Sequence, residues 1–117
     1  MAITTKTVQE PYLDASELNT TFQWTTLLNP GQPEGGSFDT QVISASVISG
    51  TADSSSIPQF TIETSHDLVS WAGSATLDNN ADSSEISIVA PWYRVRTTTK
   101  NSTALRSAIS ATMNKDN

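Results

Sequence analysis

Short runs in which apolar and polar residues alternate one by one, each cut off by Gly, Pro, Asn, Asp or Ser, recur along nearly the whole chain. A period of two sends successive side chains to opposite faces of an extended backbone, so such runs predict strands with one buried face rather than helices. Eight are expected, over residues 3–8, 22–28, 41–49, 59–64, 71–77, 85–89, 92–98 and 105–113. Ile43, Ala45 and Val47 share one face of the third run, and Phe60, Ile62 and Thr64 share one face of the fourth. Ile86 pairs with Ile88 in the sixth, and Tyr93 with Val95 in the seventh. The longest breaker is Asn29-Pro30-Gly31-Gln32-Pro33-Glu34-Gly35-Gly36, followed by segments 50–58 and 78–84. Pro91 ends a run because it has no amide hydrogen to give a ladder.

Strands of this length and spacing predict an all-β fold, an antiparallel β-sandwich of seven or eight strands. Residues 1–21 hold few large apolar side chains and are expected as an N-terminal arm, leaving 22–117 as the sandwich domain. One short helical turn is expected at 14–18, after Pro11 and capped by Asp14 or Ser16.

The core must be lean. Ile, Leu, Val and Phe supply 24 of 117 residues, so the domain is expected to gain stability from neighbours in a homo-oligomer. Ser and Thr supply 34, suiting solvent-facing strand positions and turns. The net charge is −6, which argues against a nucleic-acid partner because phosphate binding needs clustered Lys and Arg. Five of the six basic residues, Arg94, Arg96, Lys100, Arg106 and Lys115, fall in the last 24 positions, a strip suited to an acidic protein surface or to the chain's own acidic part. There is no cysteine, hence no disulfide or thiolate. The first residues lack the apolar run of a signal peptide and no stretch reaches membrane-spanning length, so the expectation is synthesis in a cytoplasm and no membrane partner.

No residue set predicts catalysis or a cofactor. Ser65-His66-Asp67 contains the three residue types of a hydrolytic triad, but adjacent side chains on a strand diverge while a triad must converge. Asp78-Asn79-Asn80-Ala81-Asp82-Ser83 starts like a calcium loop, yet Ser83 stands where the turn glycine belongs and Val89 where the bidentate glutamate belongs; a polar turn without metal is expected. In the stretch from Phe60 to Trp71, the Ser65 and Asp67 side chains are expected to bond nearby amides and hold a hairpin turn, with Trp71 opening the return strand and joining Phe60 and Ile62 in the core. Arg94 and Arg96 are two apart on a strand and so project together. They neutralise neighbouring acids or, with Trp92 and Trp24 as aromatic anchors, form a partner-binding patch; of the two tryptophans, one suits the core and the other a surface contact.

The strand ending in Ser65-His66-Asp67, the Trp71 four residues on, and the later Trp92-Tyr93-Arg94-Val95-Arg96 strand resemble, over about residues 40–98, small β-sandwich accessory proteins of tailed-phage virions, of the capsid decoration or cement type. The resemblance implies a non-enzymatic structural subunit on the outer surface of a phage head, made in the host cytoplasm. Its partner would be the major capsid protein or another virion protein, and its own state a trimer or dimer. A tail, neck or fibre component is the alternative within the particle, and a carbohydrate-binding module is the alternative outside that class.

Overall fold

A computed structural model describes residues 3–14, 18–28, 37–49, 59–78, 82–98 and 106–116. Eight strands run in chain order: β1 Ile3–Asp14, β2 Thr21–Thr25, β3 Thr40–Ser49, β4 Gln59–Ser65, β5 Ala72–Asp78, β6 Asp82–Ser87, β7 Trp92–Thr97 and β8 Arg106–Asp116. They form two four-stranded sheets, β1-β8-β3-β6 and β2-β7-β4-β5, with antiparallel neighbours throughout. The expected sandwich is what the chain builds, and each run of period two overlaps a strand of its own.

Packing the two sheets face to face buries the alternating apolar set. The first sheet contributes Ile43, Ala45, Ile109, Ala111 and Met113, the second Trp24, Phe60, Ile62, Leu77, Tyr93 and Val95, all buried. Tyr93 also ties an inter-sheet connection: its hydroxyl, 3.1 Å from the Val89 amide nitrogen, accepts that hydrogen bond beside the turn into β7. Ser and Thr occupy the outer face of the first sheet in cross-strand pairs, Ser44 with Ser110 at 2.8 Å and Thr7 with Thr112 at 3.1 Å. That accounts for part of their excess: a hydroxyl on a wet sheet face finds either water or its cross-strand neighbour.

Residues 3–14, expected within an arm, run as an edge strand paired along β8, from Ile3 opposite Asp116 to Asp14 opposite Arg106. The scarcity of apolar side chains shows in burial rather than in pairing, since only Leu13 of β1 is buried. Lys6 and Glu10 stand opposite Met113 and Ile109, on the core side, yet Lys6 is exposed and Glu10 half-buried. Inward charges of this kind, together with Pro11 at an irregularity in the pairing, guard an edge against a second chain. Most of the helical turn expected at 14–18 lies outside the described residues; Leu18 and Asn19 form a turn, with Asn19 at φ 65°.

One expectation fails for a clear reason. Trp71 does not join Phe60 and Ile62 in the core but lies half-buried on the outside of the second sheet. Leu77 and Ala75 pair with Phe60 and Ile62 on the core side, but the register then slips, and Gly73 pairs with Glu63. The extra residue at Ser74 is a β-bulge that reverses which face the preceding residues show. Gly73, and Trp71 two residues before it, therefore fall on the outer face.

Candidate functional site

The outer face of the second sheet carries the chain's most organised polar cluster. β7 alternates strictly: Tyr93, Val95 and Thr97 are buried, which turns Trp92, Arg94 and Arg96 outward. β4 lies beside it with Glu63 directly opposite Arg94. Both arginines converge on that one carboxylate: Arg94 Nε donates to Glu63 Oε1 at 2.8 Å, Arg96 Nε to the same oxygen at 3.0 Å, and Arg96 Nη2 to Oε2 at 3.4 Å. Arg96 Nη1 donates in addition to Asn19 Oδ1 at 2.9 Å. The Arg94 guanidinium lies over the Trp71 ring, 4.2 Å from its centroid, where the negative ring face attracts a cation.

Burial works to raise the Glu63 carboxyl, but the hydrogen bonds from Arg96 and Arg94, with their charges, outweigh it and hold the group below its ordinary value. Two guanidinium ions against one carboxylate leave one positive charge in excess within this cluster, in a chain whose net charge is −6. The cluster is thus mostly self-neutralising, with the residual positive charge on the guanidinium pair.

Next to it the β4–β5 turn is locked by its own side chains. Ser65 Oγ accepts from the amides of Asp67 at 3.2 Å and Leu68 at 2.8 Å, and donates to Asp67 Oδ1 at 3.1 Å. That oxygen also accepts from the amides of Val69 and Ser70, each at 2.8 Å. The Ser70 and Val69 amides lead in holding the Asp67 carboxyl below its ordinary value. The turn is the one expected from Ser65 and Asp67, with the addition of Leu68 at φ 64°, in the left-handed region. His66 is exposed and stands apart from this network, and Ser65 bonds Asp67 directly, so the three residues do not form a relay. Between the turn and Trp71 opens a recess of about 390 Å³.

The four residues expected at a partner-binding patch separate. Arg94, Arg96 and Trp92 share the outer face, the arginines close together on Glu63 and Trp92 half-buried at the strand's start. Trp24 is not a surface anchor: it is buried in the core, stacked on Tyr93 with ring centroids 6.2 Å apart. Its strand explains this, because Trp24 pairs with Tyr93 across β2 and β7 and directly opposed residues share a face. Sequence reading missed Glu63 and Trp71 as members of the outer cluster. The parity of Glu63, opposite to that of Phe60 and Ile62, marked it only as outward-facing, and Gly73 in a strand was the one sequence trace of the bulge.

Among the described residues no three His, Cys, Asp or Glu side chains gather as metal ligands. In the segment that starts like a calcium loop, Asp82 Oδ2 accepts from the Asp78 amide at 3.1 Å and its Oδ1 from the Ser83 amide at 2.9 Å; residues 79–81 lie outside the described residues.

No protein-family model matches the chain, and no curated protein is similar to it. Several solved structures are. The PBSX exported protein XepA superposes with a TM-score of 0.57 at 12% identity, over 97% of this chain and 37% of XepA. The acidic stable capsid structure of Helicobacter pylori bacteriophage KHP30 contains a chain that superposes at 0.43 and 12% identity, over 94% of this chain and 92% of that one. The chain thus spans little more than a third of XepA's length, and the likeness to XepA is one of architecture: this protein has a β-sandwich fold that also occurs as part of that exported protein.

Proposed function

We propose that the protein is a non-enzymatic structural component of a phage particle, a decoration or cement subunit bound to the outside of the head. The observation that carries this reading is the sandwich itself, which aligns over 97% of its length with part of the PBSX exported protein. Fold analogy raises the prior for a role without supplying a site. Within the proposal, the contact surface is the outer face of the second sheet. Arg94 and Arg96, rigidly held by Glu63, offer remaining donors and one excess charge to carboxylates of a capsid protein, with Trp92 beside them. Many weakly bound copies on a symmetric shell would reinforce one another, and a trimer or dimer of the subunit suits such a lattice.

Quantitative mass spectrometry of purified particles tests the reading. The expected result is a copy number matching symmetry-related positions on the head. Absence from the particle overturns it, and a handful of copies per particle moves the protein to the tail, neck or fibre.

A further inference from the structure

We propose that the recess beside the β4–β5 turn is a binding site for the pyranose ring of a neutral glycan. This site adjoins the Arg94–Glu63–Arg96 contact surface through the Arg94–Trp71 contact, and it does not depend on where the protein sits in a particle. The recess, about 390 Å³, is lined by Trp71 together with Ser65, His66, Asp67 and Ser70. That volume is in the range of pockets that take a small ligand.

The groups present match the chemistry of a sugar. A pyranose offers an apolar C–H face and a rim of hydroxyls, so it needs a flat apolar platform beside a few fixed polar atoms. Trp71 supplies the platform. It is half-buried, and the Arg94 guanidinium 4.2 Å from its centroid, itself anchored on Glu63, holds the ring in place. Preorganisation of this kind removes the entropic cost of fixing an aromatic side chain on binding.

The polar atoms are also set in advance. All of the bonds that Asp67 takes from Ser65, Val69 and Ser70 fall on Oδ1, leaving Oδ2 without a partner among the described residues. The Trp71 indole N–H is likewise unengaged among them. A carboxylate held by its own turn and an indole N–H, both on residues that line the recess, suit an acceptor and a donor role toward sugar hydroxyls. Charge narrows the class: the Asp67 carboxyl, held ionised, lines the recess, and a sugar carboxylate placed against it is repelled, so a neutral ring is favoured there.

The test is a titration of the isolated, isotope-labelled protein with glucose, galactose, mannose and N-acetylglucosamine, followed by amide and indole NMR shifts. Saturable shifts are expected, for at least one of these sugars, at the amides of 64–72 and at the Trp71 indole. Trp71→Ala should weaken that binding about tenfold or more, the loss of one good aromatic contact. Asp67→Asn keeps an oxygen for the turn amides but puts a donor where Oδ2 accepts; binding should fall several-fold while the remaining spectrum stays that of the parent. No saturable shift with any of the four sugars, shifts centred elsewhere, or preferential binding of glucuronic acid would each overturn the proposal. Because the isolated protein is used, none of these results bears on particle attachment.

Discussion

Trp24 of β2 donates its indole hydrogen across the core to Gln41 of β3, with Nε1 3.0 Å from Oε1, so that one buried hydrogen bond joins the two sheets. Both side chains are buried, and the Gln41 Nε2 group has no hydrogen-bond partner among the described residues. A buried polar pair with one orphaned donor is a weak point that an apolar pair would not have.

Replacing only one member should therefore hurt more than replacing both. Trp24→Phe leaves the whole Gln41 amide buried and unpaired, at a cost of about 1–3 kcal/mol beyond the lost ring contacts. Adding Gln41→Met removes that amide with little change of volume, and the double variant should be the more stable of the two. Urea unfolding of the parent, the single and the double variant measures this. A double variant weaker than Trp24→Phe would show that the amide is satisfied after all.

Glu63→Gln should destabilise the domain by about 1–3 kcal/mol at neutral pH, because two half-buried guanidinium groups lose their carboxylate. The pH dependence has a definite sign. A carboxyl whose folded-state value is depressed contributes stability that is fully present above its unfolded value and is lost as pH falls through the folded one. The parent's advantage over Glu63→Gln should accordingly hold at neutral pH and shrink on acidification below the 4.5 of an ordinary glutamate. Unfolding midpoints for both proteins across that range provide the check.

Trp71→Ala should cost only about 1–2 kcal/mol, since the ring is half-buried outside the sheet and its main partner is the Arg94 guanidinium. Phe60→Ala, at a fully buried position, should cost about 3–5 kcal/mol. Equal losses in the two variants would return Trp71 to the core.

We expect deletion of residues 1–12 to lower the melting temperature of the isolated domain, because it removes most of a strand that covers β8 from Asp116 back to Ile109. Leu13→Ala should cost about 2–3 kcal/mol at its buried position. An unchanged melting curve for the truncation would make residues 1–12 an arm, separable from the domain.

The sequence showed the strands plainly and the site only in part, and particular residues explain why. Val95 and Tyr93, or Ile43 and Ala45, alternate with polar residues and so declare both strand and buried face. The second half of β1 was hidden because Gln9 and Tyr12 are exposed and the core-side Glu10 is charged, so pairing leaves little hydrophobic trace. Trp71 was misplaced because one bulge residue inverts facing and periodicity cannot register it. Arg94 and Arg96 were legible as a same-face pair. Their common partner was not, because Glu63 lies 31 residues from Arg94 and meets it only through strand order.

The pairing of β1 with β8 has a consequence for how the chain is made. Ile3 finds its partner at Asp116, so the first strand has no place to dock until the last has left the ribosome. At ordinary synthesis rates of about 5–20 residues per second, roughly a hundred intervening residues leave β1 waiting for some 5–20 s with an unpaired edge. A strand that must wait so long is safest with few apolar side chains, with charges at core-side positions and with a proline in its second half. Lys6, Glu10 and Pro11 give β1 that character, and they protect the nascent chain before they protect the finished sandwich.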